Sequence, residues 1–232
     1  MRSFIFLFSF IVVGLTTIAQ ATRMPSLTAG FQVTQPTGEF KDQYDGTPLG
    51  FGGQFSVPIR LSPIEWGVGY AWNKMGGQNR DVKAFIVTDA SGNRIYGDAT
   101  MRIRSLMQRY TGHIRLRLTN LAVQPYADAC FGVEAFRTET DLTIKESGFS
   151  TAETPNTENS DMTLYYGWAA GLRVRLAPHI FVDGRFEQQF GGKAEYVDSQ
   201  TIVVNQDNTL QYDTKESLTN KYVYQLGLTV TF

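Results

Sequence analysis

Nucleophilic and transition-metal chemistry have little to work with in this sequence. It holds one cysteine, Cys130, and two histidines, His113 and His179. A single cysteine excludes an internal disulfide, and two separated histidines with one cysteine make a poor ligand set for zinc or a related ion. No histidine lies near Cys130 in sequence, so the thiol reads as a small packed residue and not as a nucleophile. No cofactor is expected. An excess of charge of one sign is missing too: 21 basic residues stand against 22 acidic ones. Without a basic patch, nucleic acid is not an expected partner. Proline is sparse, and beyond the N-terminus no apolar run reaches the roughly 20 residues that a membrane-spanning helix needs.

What is abundant is glycine, at 22 residues, and aromatic side chains, at 13%. That mix suits a folded β protein better than a disordered or disulfide-stapled one. The N-terminus reads as a secretory signal. Arg2 supplies the positive start, Phe4 to Leu15 is almost wholly apolar, and Ala19-Gln20-Ala21 fits a small-x-small cleavage site. Residues 1–21 are therefore expected to be a cleaved signal peptide and residues 22–232 one domain beginning at Thr22. The alternative, a membrane anchor helix, is disfavoured by the short apolar core.

The mature chain carries repeated alternation of period two, the signature of strands with two unlike faces. Leu27, Ala29, Phe31 and Val33 form the first apolar face, and Leu49, Phe51, Gly53, Phe55 and Val57 the second. The third is Ile64, Trp66, Val68, Tyr70 and Trp72. The fourth is Tyr110, Gly112, Ile114, Leu116 and Leu118. Upstream, Met101 and Ile103 sit in the opposite phase, and a β-bulge near Leu106-Met107 would reconcile them. The fifth stretch, Val123 to Phe136, is less regular, with Asp128 and Glu134 sharing a face with Gln124, Tyr126, Cys130 and Gly132. The last three run through Leu164 to Leu176, Ile180 to Phe186 and Tyr222 to Phe232.

Eight strands result, with connections that alternate in length. Those at Pro58 to Pro63, Asn120 and Pro178-His179 are short. Those at Asp45-Gly46, Lys74 to Thr100, Thr138 to Ser160 and Gly191 to Ser217 are long. In an up-and-down barrel every second turn lies on the same side, so short periplasmic turns and long outer loops are the expected pattern. Two long connections contain hairpin signals. Ala84 to Thr88 and Arg94 to Tyr96 flank Asp89 to Asn93, and Thr201 to Val204 and Thr209 to Tyr212 flank Gln206-Asp207-Asn208. As spanning strands they would give ten. Their arms are shorter than the ~9–11 residues a spanning strand needs, which favours eight.

Alternation alone does not separate a membrane barrel from a soluble lipocalin-type one. Four features favour the membrane. The polar face mixes charges with small residues such as Gly50, Gly52, Gly67, Gly69, Gly167 and Gly171, which suits a narrow, side-chain-filled interior. The apolar face carries Trp66, Tyr70, Trp72, Tyr166, Trp168, Tyr222 and Tyr224 near strand ends, where rings belong at the membrane–water boundary. The connections alternate short and long. The final alternating strand ends on Phe232.

That final strand, YVYQLGLTVTF from Tyr222 to Phe232, resembles the terminal strand that bacterial outer-membrane barrels present to their assembly machinery. Pro36-Thr37-Gly38-Glu39-Phe40, Pro125-Tyr126 and Phe181-Val182-Asp183-Gly184-Arg185-Phe186-Glu187 are similar to segments of the small outer-membrane β-barrel family, which includes OmpA-like transmembrane domains. The resemblance covers essentially the whole mature chain. It implies an all-β fold, an eight-stranded antiparallel up-and-down transmembrane barrel in the bacterial outer membrane. It also implies outer-membrane lipid and lipopolysaccharide as surroundings, and Phe232 as part of an assembly signal. No peptidoglycan-binding domain follows the barrel, so cell-wall anchoring is not implied.

With the apolar face in lipid, Glu65, Arg115, Arg117, Asp128, Glu134, Arg173, Arg175, Asp183, Arg185, Glu187 and Lys221 point inward. Charges confined in a poorly hydrated lumen must pair. They are expected to form a salt-bridge plug; with water between them, they would instead form a polar path favouring anions. Catalysis finds little support. His179 lies in a predicted periplasmic turn, His113 reads as a packed lumen residue, and no strand face carries both a serine and a histidine. The acidic loop residues Asp141, Glu146, Glu153, Glu158, Asp161, Glu195, Asp198, Asp207, Asp213 and Glu216 read as solvating charge, with divalent cations bridging lipopolysaccharide as the alternative. The sequence therefore points to a non-enzymatic membrane scaffold whose long outer loops meet lipid headgroups or an envelope protein partner. A small-solute or ion channel, porin-like in function, is the second reading, and a barrel component of a secretion machine the third.

Overall fold

The computed structural model describes residues 24–60, 62–88, 94–118, 121–146, 149–152, 156–197, 201, 203–204 and 210–232. The predicted signal segment and the predicted turns at Asp89 to Asn93, at Asn120 and at Gln206 to Asn208 lie outside the described residues. In chain order the elements are β1 (Ser26–Pro36), α1 (Glu39–Gln43), β2 (Leu49–Pro58), β3 (Ile64–Thr88), β4 (Arg94–Arg117), β5 (Val123–Glu146), β6 (Phe149–Ala152), β7 (Asn156–Ala177), β8 (Ile180–Gly191), β9 (Lys193–Val197), β10 (Val203–Val204), β11 (Leu210–Gln211), β12 (Thr214–Leu218) and β13 (Lys221–Thr231).

The first strand pairs with the last. β1 lies antiparallel to β13 from Ser26 opposite Thr231 to Pro36 opposite Lys221. It also pairs with β2, and the remaining neighbours run β2–β3–β4–β5–β7–β8–β13. These eight strands therefore close into a ring in which each has two neighbours, as a spanning β structure must so that lipid meets no unpaired backbone group. Eight strands form it, not ten. The hairpin predicted at 84–96 is the upper end of β3 and β4 in one ladder, with Phe85 opposite Tyr96. The one predicted at 201–212 is the separate β10–β11 pair.

The eight strands fall into two length classes. β1, β2, β8 and β13 have 10 to 12 residues, enough for one crossing. β3, β4, β5 and β7 have 22 to 25. They continue on the side of the long connections as a wall that stands beyond the membrane. Where the wall rises, short pieces pack against it: α1 after β1, and the β9–β12 pair between β8 and β13.

Within the membrane zone Leu27, Phe31, Phe51, Val68, Ile114, Phe131, Leu164, Leu226 and Leu228 are exposed on the outside, while Thr28, Gln32, Gln54, Arg115 and Gln225 are buried inside. In the wall this polarity inverts. Met101 and Ile103 are buried with Val197, and Val82 and Tyr212 pack on them. The bulge predicted in β4 near Leu106-Met107 is instead in β3, where Met75 is the extra residue between Lys74 and Gly76. The phase of β4 therefore runs unbroken from Met101 to Arg117, and Met101 and Ile103 face inward. The physical reason is the solvent. Above the membrane the outer face meets water, so the apolar residues of the same alternation belong inside.

Two glycines serve close approach. Gly30 and Gly227 sit opposite each other on β1 and β13, and a Cβ on Gly30 would come within 2.7 Å of the Gly227 Cα. Gly38 takes a positive φ of 56°, which turns the chain from β1 into α1 at little steric cost.

Candidate functional site

The interior of the membrane zone is a column of charged side chains drawn from every second residue of the strands. At the end with the short turns Arg117 meets Glu65 at 2.5 Å and donates to Gln124 Oε1 at 3.1 Å. Next, Asp183 on β8 accepts from Arg173 Nε at 2.8 Å, from the Tyr126 hydroxyl at 2.7 Å and from the Thr229 hydroxyl at 3.1 Å. Arg173 also reaches Ser26 at 3.3 Å and Thr28 at 3.4 Å. One carboxylate and one guanidinium thus tie β7, β8, β5, β13 and β1 together.

Higher up, Arg115 forms a two-pronged pair with Asp128, at 2.7 and 2.9 Å, and donates to Gln54 at 3.0 Å. Its guanidinium stacks 3.9 Å above the Tyr126 ring. Arg185 contacts Asp128 at 3.2 Å and Glu187 at 2.7 Å, and donates to Cys130 Sγ at 3.1 Å. Lys221, the first residue of β13, pairs with Glu134 of β5. Side chains in these pairs are at most 4% exposed. Two of the ion pairs, Asp128–Arg185 and Glu134–Lys221, cross the lumen between strands that are not neighbours, which fixes the barrel's cross-section as well as its seams.

Above Lys221 the chemistry changes. Its ammonium lies 5.7 Å from the Phe40 ring and 5.9 Å from the Phe136 ring. These rings belong to an apolar layer of Phe40, Met75, Met107, Phe136, Ala194 and Tyr196, joined by Tyr44. Phe40 is brought there by α1 and is wholly buried. Its ring stacks on Tyr44 at 5.7 Å and meets Tyr196 edge-on at 5.7 Å. The Tyr44 hydroxyl donates to the Met75 carbonyl at the bulge, and burial pushes its phenol up to about 12. Outside this layer a cavity of about 320 Å³ opens between Asp42, Tyr44, Arg137, Tyr196 and Lys215.

The outer surface of the wall carries its own, wetter ion pairs. Arg104 meets Asp141 at 2.7 Å and Glu139 at 3.8 Å, with side chains 20 to 38% exposed. Lys193 and Glu216 pair at 3.3 Å in the β9–β12 hairpin.

Of the eleven residues expected in the lumen, ten are buried there. Arg175 is the exception. It is exposed at the short-turn end of β7, where the register with β8 shifts, and its guanidinium lies 5.5 Å from the Phe181 ring. The alternation that carries Arg173 into the lumen carries Arg175 past its mouth. Sequence reasoning also missed Arg109, which is 2% exposed, and the uncharged Gln189; Gln32 and Gln225 lie inside as the alternation of β1 and β13 requires. The signal for Arg109 was present, because it shares the phase of His113, Arg115 and Arg117; the bulge expected two residues away hid it.

Against the expectation that no strand face holds both, β4 carries Ser105 and His113 on its inward face, and the serine that His113 meets comes from another strand. His113 Nε2 on β4 lies 2.9 Å from Ser56 Oγ on β2. Both are buried, and His113 Nδ1 has no hydrogen-bond partner among the described residues. The pair therefore lacks the orienting third group and the access of a nucleophilic triad. His179 is exposed in the β7–β8 turn at a φ of 67°. Among the described residues no three His, Cys, Asp or Glu side chains gather as metal ligands.

Outside, the aromatic residues concentrate at the upper edge of the membrane zone. Tyr70 meets Tyr110 at 5.2 Å. Tyr166 stacks on Phe190 at 5.5 Å. Phe186 gathers Trp168, Tyr222 and Tyr224 at 5.4 to 5.6 Å. Trp72 lies on the same outer face opposite Phe51. Trp66 is at the other end, opposite Val57. Phe232, 59% exposed, stacks on Phe55 at 6.4 Å and donates its backbone N–H to the Pro25 carbonyl.

Among solved structures the chain is similar to the attachment invasion locus protein Ail of Yersinia pestis, at 15% identity over 91% of this chain and 100% of that one, TM-score 0.44. It is similar to Neisserial surface protein A, at 13% identity over 90% and 97%, TM-score 0.41. A major outer membrane protein of Thermus thermophilus matches at 12% identity over 88% and 99%, TM-score 0.45. No curated protein matches the sequence significantly. The outer membrane protein beta-barrel domain family matches residues 6–232. With that match over nearly its whole length and a closed sheet of eight antiparallel strands, the chain belongs to the outer membrane protein beta-barrel domain family.

Proposed function

We propose that this protein is a non-conducting scaffold of the bacterial outer membrane that works through the wall and hairpins it raises on the extracellular side. The observation that carries this reading is the layering of the interior. A charge-paired column, with each carboxylate met by a cation, lies under the apolar layer around Phe40. Hydrated ions would have to break buried pairs and then pass a layer built of apolar and aromatic side chains, and both steps are costly. The wall meanwhile spends half of four strands on a surface beyond the membrane, where recognition usually sits.

In this reading lipid and lipopolysaccharide meet the outward aromatic residues, an envelope protein meets the wall, and the assembly machinery meets β13 and Phe232. Residues 1–21 are removed on export, which a mature N-terminus at Thr22 would establish by mass. No enzymatic step is part of this reading. A porin-like channel is the second reading, favoured by one observation: among the described residues Asn73, Gln189 and Gln225 hold buried polar atoms without protein partners, which suits water in the lumen.

Ion and small-solute flux through liposomes containing the refolded barrel separates the two. Flux no greater than that of protein-free liposomes is the expected result. Flux that depends on the protein and changes on Arg185→Ala would overturn the scaffold reading.

A further inference from the structure

The charges of the lumen do not balance. Buried inside are the carboxylates Glu65, Asp128, Glu134, Asp183 and Glu187, and the cations Arg109, Arg115, Arg117, Arg173, Arg185 and Lys221. Each carboxylate has a direct cationic partner: Arg117 for Glu65, Arg115 for Asp128, Lys221 for Glu134, Arg173 for Asp183 and Arg185 for Glu187. Arg109 is left over. Among the described residues no carboxylate lies within ion-pair distance of it, and its one hydrogen bond is a long one, Nη2 to Gln32 Oε1 at 3.3 Å. Its Nε and Nη1 donors are buried without a partner. The Tyr165 ring covers the guanidinium from 5.9 Å.

An arginine cannot shed this charge, because guanidinium stays protonated in proteins. Protonation of His113 would only enlarge the surplus. A lone buried cation is costly unless an opposite charge meets it. Glu187 and Glu134 are the carboxylates that act most strongly on Arg109, but both are committed, to Arg185 and to Lys221. Further unpartnered donors are present in the same polar cluster. Gln225 accepts from Gln32 at 2.9 Å through its oxygen and leaves its Nε2 free, and the wholly buried Asn73, two residues along β3 from the partner of Arg109, leaves its Nδ2 free. Among the described residues orphaned acceptors are present too, Asn73 Oδ1, Glu134 Oε1 and Gln189 Oε1, and water can serve donors and acceptors alike; the unmatched charge of Arg109 is what calls for a small anion.

We propose that the lumen holds one small monovalent inorganic anion of the halide class, bound by Arg109 Nε and Nη1 under the apolar layer, with Gln225 Nε2 as a neighbouring donor. The ion is a structural counter-charge that completes the pairing of the column. The site requires the burial of Arg109 and not the closure of the barrel, so anion occupancy and transmembrane flux are independent measurements.

Bromide is the probe. Crystals of the wild-type refolded barrel grown in sodium bromide are expected to show one anomalous peak within hydrogen-bonding distance of the Arg109 guanidinium. Density there without anomalous signal, meaning water alone, would overturn the proposal. In solution, thermal unfolding of the detergent-refolded protein is compared in sodium chloride, sodium bromide and sodium gluconate at equal ionic strength. The melting temperature is expected to be higher in chloride and bromide than in gluconate, and Arg109→Gln is expected to lose that difference while still folding to a heat-modifiable barrel. An equal halide effect in Arg109→Gln would place the anion elsewhere and overturn the assignment. If the variant does not fold, the anomalous map of the wild-type protein decides alone.

Discussion

The part of the barrel in the membrane and the wall above it use the same strands, the same backbone pairing and the same alternation, yet their faces carry opposite chemistry. Below, lipid takes Leu226, Leu228 and Phe131, and the interior holds Arg115, Asp128, Arg173 and Asp183. Above, water meets Arg102 and the Arg104–Asp141 pair, and the interior holds Met101, Ile103 and Met107. The single-residue bulge at Met75 lies where the two regimes meet, and it flips the phase of β3 so that Val82 packs on the same side as Ile103. A strand's pattern thus has no fixed inside. The medium beside it decides which face is buried.

The contrast predicts very different consequences for the ion pairs of the two zones. Asp183→Ala should have the largest effect, because it leaves Arg173 and the Tyr126 hydroxyl buried without their acceptor. A loss of roughly 3–5 kcal/mol is expected in urea unfolding of the refolded barrel. An unchanged midpoint would mean water replaces the carboxylate and the lumen is wet. Phe40→Ala should follow, at about 3 kcal/mol, the usual cost of removing a buried ring and leaving a cavity. If only hydrogen exchange of the apolar layer around Phe40 responds and global unfolding does not, that layer is a separate cooperative unit.

Leu226→Arg places a charge on the lipid face and should cost about 2–4 kcal/mol near the midplane, against almost nothing for the inward Thr229→Ser. Folding yields into vesicles of both variants read this directly, and equal yields would reverse the assigned faces. Arg104→Ala, in the solvated wall, should cost less than about 1 kcal/mol, because exposed pairs gain little. A loss as large as that of Asp183→Ala would erase the distinction between the zones.

The last effect concerns pH and is felt only under alkaline conditions. The Tyr44 phenol is held neutral by burial, its folded value raised from 10.0 to about 12. The unfolded chain releases that proton first as pH rises. The contribution is therefore fully present below pH 10 and lost between pH 10 and about 12. Comparing alkaline melting of the wild type with Tyr44→Phe should show a shallower decline in the variant; identical slopes would remove Tyr44 from the alkaline response.

Much of this was legible in the residues. Period-two alternation with large aromatic contrast, as in Leu164 to Leu176, marks a strand with two unlike faces whatever surrounds it, and eight such runs give the barrel. The inward charges followed from parity alone, which is why ten of eleven were placed inside. Parity failed at Arg175, since it carries no information about where a strand leaves the lumen. It failed again at Arg109, because an irregularity was sought in β4 that the structure places in β3.

What the sequence determined by itself is the alternation, and with it the strand count, the order of long and short connections and the set of side chains available to the interior. These are local properties, written at separations of two residues. The tertiary structure alone decided which charges meet. Lys221 pairs with Glu134 from 87 positions away, and Arg185 reaches Cys130 across 55. It alone raised β3, β4, β5 and β7 beyond the membrane and set Phe40 above the column. The reason is closure: when β1 pairs with β13, inward side chains such as Lys221 and Glu134 come within reach of partners that chain order keeps apart.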